Sequence, residues 1–119
     1  MRENTLLWLD DRRNPFQDRW IERFSPIQNP DIIWVRSYSD FINYIEQHGL
    51  PDAICFDHDL GDIHSDHEYT GYDCAKYVVE YCMDHNKIFP KYNIQSDNGP
   101  GRDNIYHYIE NFKKNFNYN

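Results

Sequence analysis

Aspartate residues gather directly after two apolar stretches of the sequence. Asp10 and Asp11 follow the first stretch, and Asp57 and Asp59 follow the third. If each stretch is a strand, Asp57 and Asp59 project to one side and His58 to the other. Carboxylates crowded in this way are costly unless a cation or protons neutralise them. Oxygen ligands at this density suit Mg²⁺ or Mn²⁺, so the pattern predicts a metal site formed by Asp10, Asp11, Asp57 and Asp59.

A single aspartate after a strand commonly caps a helix or faces solvent, and this interpretation is open for each residue taken alone. Two acidic pairs at the same ends of neighbouring strands favour the metal site instead. A phosphate oxygen could complete the ligand shell of such an ion. The aspartates therefore indicate chemistry on a phosphate group.

A third polar segment follows the last apolar stretch. It reads Gln95-Ser96-Asp97-Asn98 and continues into residues 99–102, which include two glycines and Arg102 and are expected to be a loop before the last helix. Glycines let a backbone approach an anion closely, and a helix start offers free N–H groups. Glycine and proline also simply form turns, so this segment alone is a weak indication of an anion site.

Residues 61–70 contain four side chains that could bind a transition metal: His64, Asp66, His67 and Glu68. The interpretation favoured here is a mobile, solvated loop over the pocket.

The elements that must position these residues follow from the apolar periodicity. Four runs lack clean polar alternation, as strands covered on both faces do, at residues 5–9, 32–35, 53–56 and 92–94. Helical spacing predicts helices over residues 40–48, 72–86 and 103–115, and a short one between prolines over 16–24. Ser39 is the predicted N-cap of the first of the three, and Gly49 the residue that ends it. This order predicts an α/β fold with an open, doubly wound parallel sheet of about four strands in a three-layer sandwich. In such sheets ligands bind beyond the carboxyl ends of the strands.

Length and composition narrow the class of protein. The 119 residues fit one domain, and residues 1–119 are expected to form it. Twelve basic against twenty acidic residues give a net charge of −8, which disfavours an extended nucleic-acid surface. Three cysteines without a C-x-x-C pair indicate reduced thiols, and no apolar run reaches the roughly 18 residues of a membrane span. A cytoplasmic protein without membrane attachment is expected.

Four motifs stand in an order that is found in a known family: Leu9-Asp10-Asp11-x-Arg13, Phe56-Asp57-His58-Asp59-Leu60-Gly61, Thr70-Gly71-Tyr72-Asp73 and Ser96-x-Asn98-x-x-Gly101-Arg102-x-Asn104. Together they resemble the cyclic-phosphate-processing receiver domain family, which is similar to the receiver domains of two-component signalling. The resemblance spans nearly the whole chain. It implies a receiver-like, flavodoxin-like fold and a ligand that is a phosphate-containing small molecule or an RNA end.

The resemblance also implies roles for individual residues. Asp10, Asp11 and Asp57 match the receiver acidic pocket, with Asp57 at the phospho-acceptor position and Ser96 at the hydroxyl position. Further residues implied to line the site are His58, Asp59, Asn98, Arg102 and Asn104.

Two positions depart from the family motif His-Ser-x-Asn-Pro. Gln95 stands in place of the histidine, and Gly99 in place of the proline. Because glutamine does not titrate, either His58 takes over proton transfer or catalysis is weakened. The chain also shows no fifth strand with the lysine that ordinary receivers use beside the acyl phosphate, which disfavours plain phosphorelay signalling.

The leading hypothesis is a metal-dependent phosphoesterase that hydrolyses a cyclic phosphate, on an RNA 2′,3′-cyclic end or on a small cyclic nucleotide. Its catalytic residues would be Asp57, His58, Ser96 and Arg102, and its phosphate-binding residues Arg13, Ser96, Asn98, Arg102 and Asn104. One alternative is a non-catalytic protein that binds or sequesters a phosphorylated ligand or a nucleotide signal. A second is a signalling receiver phosphorylated on Asp57. The substrate, the choice between Mg²⁺ and Mn²⁺ and the oligomeric state stay open.

Overall fold

Strands and helices alternate along most of the chain, and a computed structural model describes residues 4–116. The strands are β1 (Thr5–Leu9), β2 (Asp31–Val35), β3 (Ala53–Phe56), β4 (Asp62–His64), β5 (His67–Tyr69) and β6 (Lys91–Ile94). The helices are α1 (Trp20–Phe24), α2 (Tyr38–His48), α3 (Gly71–His85) and α4 (Gly99–Asn115).

The predicted parallel sheet is confirmed, in the order β2-β1-β3-β6. Strand β1 lies in the centre, with Trp8 opposite Trp34 of β2 and Cys55 of β3. All four strands run in the same direction, so their carboxyl ends meet at one edge of the sheet. The segments after β1, β3 and β6 begin at this edge.

The two faces of the sheet are covered very differently. On the face that we call the three-helix face, 18 of the described residues form one buried cluster that includes Leu7, Ile54 and residues of α2, α3 and α4. On the opposite, thin face the buried cluster is Leu6, Trp8, Ala53 and Cys55, covered by half-buried residues of α1 and by Trp34. Alternation along each strand explains the division, because successive side chains point to opposite faces. Helices on both faces make three layers, and the layer on the thin face consists of the five-residue helix α1.

The three cysteines are buried free thiols, divided between the faces. Cys55 belongs to the thin face, whereas Cys74 and Cys82 belong to the three-helix face. Burial raises the pKa of Cys55 to about 12 and that of Cys82 to about 11, so both thiols stay protonated at neutral pH.

The helix starts differ from the predicted ones. The N-cap of α2 is Ser37, whose hydroxyl accepts from the N–H of Asp40 at 3.1 Å, so the assignment to Ser39 was wrong. Helix α4 begins at Gly99 rather than residue 103, because Asn98 caps it and proline suits a first helical turn. Among the described helices none is both long and apolar enough to cross a lipid bilayer.

Residues 61–70 were predicted to be a loop, but most of them form an antiparallel hairpin of β4 and β5. Ser65 and Asp66 adopt left-handed conformations, with φ of 51° and 67°, which suit a two-residue turn. The hairpin packs on the start of α2. Tyr69 stacks on Tyr38 at 4.6 Å between ring centroids, and the Asp62 carboxylate accepts from the Tyr38 N–H at 2.9 Å.

Candidate functional site

Three carboxylates converge at the carboxyl edge of the sheet. Oxygen atoms of Asp10, Asp11 and Asp57 all lie within 4.8 Å of one another. Asp10 and Asp11 follow β1, and Asp57 follows the neighbouring β3. No other group of three metal-ligating side chains occurs within residues 4–116, which leaves the hairpin histidines without such a group.

Asp10 is fully buried and fully engaged. Its Oδ1 accepts from the backbone N–H groups of Arg12, at 3.0 Å, and Arg13, at 2.8 Å. Its Oδ2 accepts from Arg13 Nη1 at 3.2 Å and from Gln95 Nε2 at 3.3 Å. These four donors fix the position of the Asp10 carboxylate.

Asp57 lies in a less favourable environment for a negative charge. It is 4% exposed, and burial together with the charge of Asp10 raises its pKa to about 7, although Arg13 acts in the opposite direction. Arg13 Nη1 lies 3.8 Å from Asp57 Oδ1, too far for a hydrogen bond. Asp57 is therefore the member of the group that most needs a further cation or a proton.

Close packing of α3 fixes the backbone beside Asp57. The N–H of Gly71 donates to the carbonyl of His58 at 2.8 Å. A Cβ at position 71 would lie 1.7 Å from the carbonyl oxygen of Asp57, so only glycine fits there.

Hydrogen bonds from three side chains fix the loop after β1. Trp34 Nε1 donates to the carbonyl of Asp10 at 2.8 Å, and Trp8 Nε1 donates to that of Arg13 at 2.9 Å. Arg36 Nη2 donates to the carbonyl of Asp11 at 2.8 Å. The acidic residues consequently lie on a backbone that is fixed before any ligand arrives.

A cavity of about 280 Å³ opens onto this group, and we call it the acidic pocket. Its walls are Asp11, Arg12, Arg13, Asp57, Asp59, Gly61, Ser96, Asp97 and Asn98. Arg13 Nη2 forms a 2.7 Å ion pair with Asp97, whose side chain is 93% exposed, at the rim. The hydroxyl of the buried Ser96 accepts from the N–H of Asn98 at 3.1 Å. The pocket thus presents carboxylates, guanidinium groups and a hydroxyl, a combination suited to a cation together with a phosphate.

His58 and Asp59 lie beside the three clustered carboxylates. Asp59 lines the pocket, but its carboxylate accepts from Asn98 Nδ2 at 3.2 Å and lies 2.8 Å from His58 Nδ1. The hydrogen bond with His58, more than that with Asn98, lowers the pKa of Asp59. The His58 ring packs against α4, where a Cβ on Gly101 would lie 2.5 Å from Cγ. His58 is not among the residues that line the acidic pocket.

Arg102 and Asn104 lie on the exposed side of the first turns of α4. Arg102 Nη1 is 3.5 Å from the carbonyl oxygen of Ser96, but its side chain lines a separate cleft between β6 and α4. Asn104 lines a groove with Tyr72 and His107. The structure brings neither residue into the wall of the acidic pocket.

A family model described as the cyclic-phosphate processing receiver domain matches residues 5–111. The chain belongs to this family. No curated protein and no solved structure gives a significant match. The sheet order and the flanking helices are those of a receiver-like, flavodoxin-like α/β fold.

The parallel sheet of the described residues has four strands. Within residues 4–116 the sheet ends at β6, so no fifth parallel strand lies beside it. The acidic pocket has arginine but no lysine among its described walls.

Gln95 has a role that the sequence did not reveal. It is 2% exposed and lies beneath the acidic pocket, where its Nε2 donates to the carbonyl of Leu9 at 2.9 Å and to Asp10. Its Oε1 is buried without a hydrogen-bond partner among the described atoms. The departure from the family histidine signalled the position, but not the contact with Asp10. Trp8 and Trp34 were missed as well, because nothing in their spacing points to the pocket. Arg12 and Asp97 were expected at this edge of the sheet but were given no role in the site.

Proposed function

We propose that this protein is a metal-dependent phosphoesterase that hydrolyses a cyclic phosphate, on an RNA 2′,3′-cyclic end or on a small cyclic nucleotide. The observation that carries the proposal is the convergence of Asp10, Asp11 and Asp57 within 4.8 Å. The family to which the chain belongs supports the cyclic phosphate as the reacting group.

The charge of the site favours a divalent cation. With all three carboxylates ionised, as the binding of a cation requires, the group and the Arg13 guanidinium carry a net charge of −2. The donors are all hard oxygen atoms, which suit Mg²⁺ or Mn²⁺. Asp10, Asp11 and Asp57 would hold the ion, and Asp59, which lines the same pocket, would contact it through a bound water. When bound, the ion would polarise a phosphoryl oxygen and lower the pKa of a bound water.

The other pocket residues are suited to hold the phosphate. Ser96 and Asn98 line the cavity from the segment after β6, and Arg12 and Arg13 line it from the loop after β1. Guanidinium groups stabilise the charge that develops on phosphate oxygens during displacement. Arg102 Nη1 lies 3.5 Å from the carbonyl oxygen of Ser96, on the side of Ser96 away from the pocket.

Hydrolysis adds a water oxygen to phosphorus, breaks one ester P–O bond of the ring and protonates the ribose oxygen that leaves. His58 is the proposed proton-transfer group. Its Nδ1 lies 2.8 Å from the carboxylate of Asp59, which lines the pocket, so Asp59 would link the His58 ring to the bound phosphate although His58 itself is not part of the pocket wall. Asn98, which contacts Asp59, would position this pair against the phosphate.

Turnover of cyclic-phosphate substrates with Mn²⁺ or Mg²⁺ tests the proposal. Asp57→Asn should lower kcat/KM at least about 100-fold, because it removes one metal ligand. Asp66→Asn is the matched control. Asp66 is an exposed turn residue with φ of 67°, a conformation that asparagine adopts readily. The activity of this variant should equal that of the wild type. Unchanged turnover in Asp57→Asn would contradict the proposal.

A second candidate function is binding of a phosphorylated ligand without catalysis. Gln95 favours it, because a buried amide that braces Asp10 stands where the family motif has a titratable histidine. Tight binding of a cyclic nucleotide without formation of product over hours would select this function.

A further inference from the structure

The positive charge of the chain is concentrated in one short region. Residues 12–36 contain five arginines and three acidic residues, a net charge of +2. Because the whole chain has a net charge of −8, the remaining residues carry −10. We call the surface formed by Arg12, Arg13, Arg23 and Arg36 with Trp20 and Trp34 the arginine corner. The overall charge of the protein conceals this local excess.

The guanidinium groups of the corner are not neutralised equally. Arg19 lies in the same region but pairs with Glu22, with 3.0 Å between Nε and Oε2. Glu22 neutralises its charge, so Arg19 is not part of the corner. Among residues 4–116 no carboxylate forms an ion pair with Arg12, Arg23 or Arg36. Each of these three residues is exposed, so the charge is available to an anionic partner.

Three of the arginines lie over tryptophan rings. The Arg23 guanidinium carbon is 4.8 Å from the centroid of Trp20, and that of Arg36 is 4.8 Å from the centroid of Trp34. Arg13 also lies over Trp20, at 5.2 Å. A guanidinium plane that rests on an aromatic ring is pre-oriented, and its outer face can stack on a nucleobase while its N–H groups bind phosphate.

The corner is continuous with the acidic pocket. Arg12 and Arg13 line the pocket, and Arg36 donates to the carbonyl of Asp11 on the same loop. Arg13 connects the two regions, since one side of its guanidinium faces Asp10 and its plane lies over Trp20. A ligand whose last phosphate enters the pocket would place the preceding part of its chain on the corner.

We propose that the arginine corner binds the nucleotides that precede a terminal cyclic phosphate, and that the ligand is the 3′ end of a single-stranded RNA. The inference rests on the proposed function of the acidic pocket. A 2′,3′-cyclic phosphate requires a ribose 2′ oxygen, which identifies the strand as RNA. The contact is short, about two or three nucleotides, as a few arginines and stacking surfaces allow. A mononucleotide would reach the pocket but not the corner.

Binding measurements on ligands of different length test the inference. Fluorescence polarisation with Mg²⁺ would compare a hexanucleotide that ends in a 2′,3′-cyclic phosphate, the same hexanucleotide with a 3′-hydroxyl, and a nucleoside 2′,3′-cyclic phosphate as competitor. We expect the cyclic-ended hexanucleotide to bind at least tenfold more tightly than the mononucleotide. Its affinity should fall with salt, with a slope of about −0.7 for each phosphate neutralised.

Variants of Arg23 identify the surface, since this residue lies outside the acidic pocket. Arg23→Ala should weaken binding of the cyclic-ended hexanucleotide about fivefold or more, reduce the salt slope by about 0.7 and leave binding of the mononucleotide unchanged. Arg23→Lys should keep the salt slope and still lose part of the affinity, because lysine does not stack. Lys87→Ala, an exposed charge beyond the end of α3, is the control and should change nothing.

The outcomes separate this inference from the proposed function. Equal affinity for the hexanucleotide and the mononucleotide, or equal losses in Arg23→Ala and Lys87→Ala, would overturn the inference while turnover of the mononucleotide would uphold the proposed function. Binding of both hexanucleotides that depends on Arg23, without turnover of any cyclic phosphate, would support the corner and overturn the proposed function.

Discussion

The two faces of the sheet separate most of the residues that stabilise the fold from the loop that carries Asp10 and Asp11. The three-helix face has 18 buried residues in one cluster, and the thin face has four. The loop with Asp10 and Asp11 and the arginine corner are on the side of the thin face, where α1 contains no buried residue. A site on a thin layer cannot obtain its rigidity from burial alone.

The thin face instead holds the site through specific hydrogen bonds. Trp8 and Trp34 each use an indole N–H to fix a carbonyl of the loop after β1, and Asp10 accepts from two N–H groups of the same loop. Directional bonds restrict a few atoms strongly and add little to the total free energy of unfolding. We therefore expect mutations on the two faces to affect stability and ligand binding in opposite proportions.

The largest effect should come from truncating a phenylalanine on the three-helix face. Phe41 is fully buried, so Phe41→Ala should lower the free energy of unfolding by about 3 to 5 kcal/mol. Phe24 on the thin face is half-buried, and Phe24→Ala should cost only about 1 to 2 kcal/mol. Urea unfolding at equilibrium measures both. Equal losses would show that the thin face contributes as much stability as the other and would break the comparison.

An intermediate effect is expected from Asp57→Asn, and its sign depends on pH. The pKa of Asp57 is raised from 3.8 to about 7 in the folded protein, so its neutral form is the one that the fold favours. The associated stability is fully present below pH 3.8 and is lost as the pH rises through about 7. Without metal at pH 8, Asp57→Asn should be more stable than the wild type by roughly 1 to 3 kcal/mol, because asparagine carries no charge to bury.

Thermal unfolding in EDTA at pH 4 and pH 8 checks this prediction. The advantage of Asp57→Asn should be smaller at pH 4, and saturating Mn²⁺ at pH 8 should stabilise the wild type but not the variant. A variant less stable than the wild type at pH 8 without metal would show that Asp57 is not under electrostatic strain.

The smallest change in stability should accompany Trp34→Phe. The substitution keeps an aromatic ring beneath Arg36 but removes the hydrogen bond to the carbonyl of Asp10. We expect a loss of about 1 kcal/mol in stability and a weakening of Mn²⁺ binding of about three- to tenfold. Calorimetric titration with Mn²⁺ measures the binding. Trp20→Phe is the matched control, since no described hydrogen bond is lost, and a similar weakening there would remove the special role of Trp34.

Residue types and periodicity predicted the sheet and the meeting of Asp10, Asp11 and Asp57, whereas Asp59, which was expected in the same group, lies outside it. The four apolar runs became the four parallel strands, and parallel strands necessarily bring Asp10 and Asp57 to one edge. This part of the fold was predictable because strand direction alone determines which residues meet.

The details that depend on local competition were not predictable. Ser37 and Ser39 are both good N-caps, and only packing of α2 decides between them. Asn98 began a helix where glycine and proline suggested a loop. The turn of the hairpin requires left-handed conformations at Ser65 and Asp66, and neither residue type indicates such a conformation by itself. Arg102 and Asn104 were expected in the phosphate site but line other surfaces of α4. Their position depends on the orientation of α4, which the sequence does not determine.

Cys55 and Cys74 lie on opposite faces of the sheet, so the rate at which each thiol is alkylated reports on one face. Cys55 is closed off by α1 and the tryptophans, and Cys74 by the three-helix layer, so each thiol becomes reactive only when its own covering opens. Pulsed alkylation followed by mass spectrometry would then time the opening of each layer separately in the unaltered chain. If RNA engages the arginine corner, modification of Cys55 should slow while that of Cys74 keeps its pace.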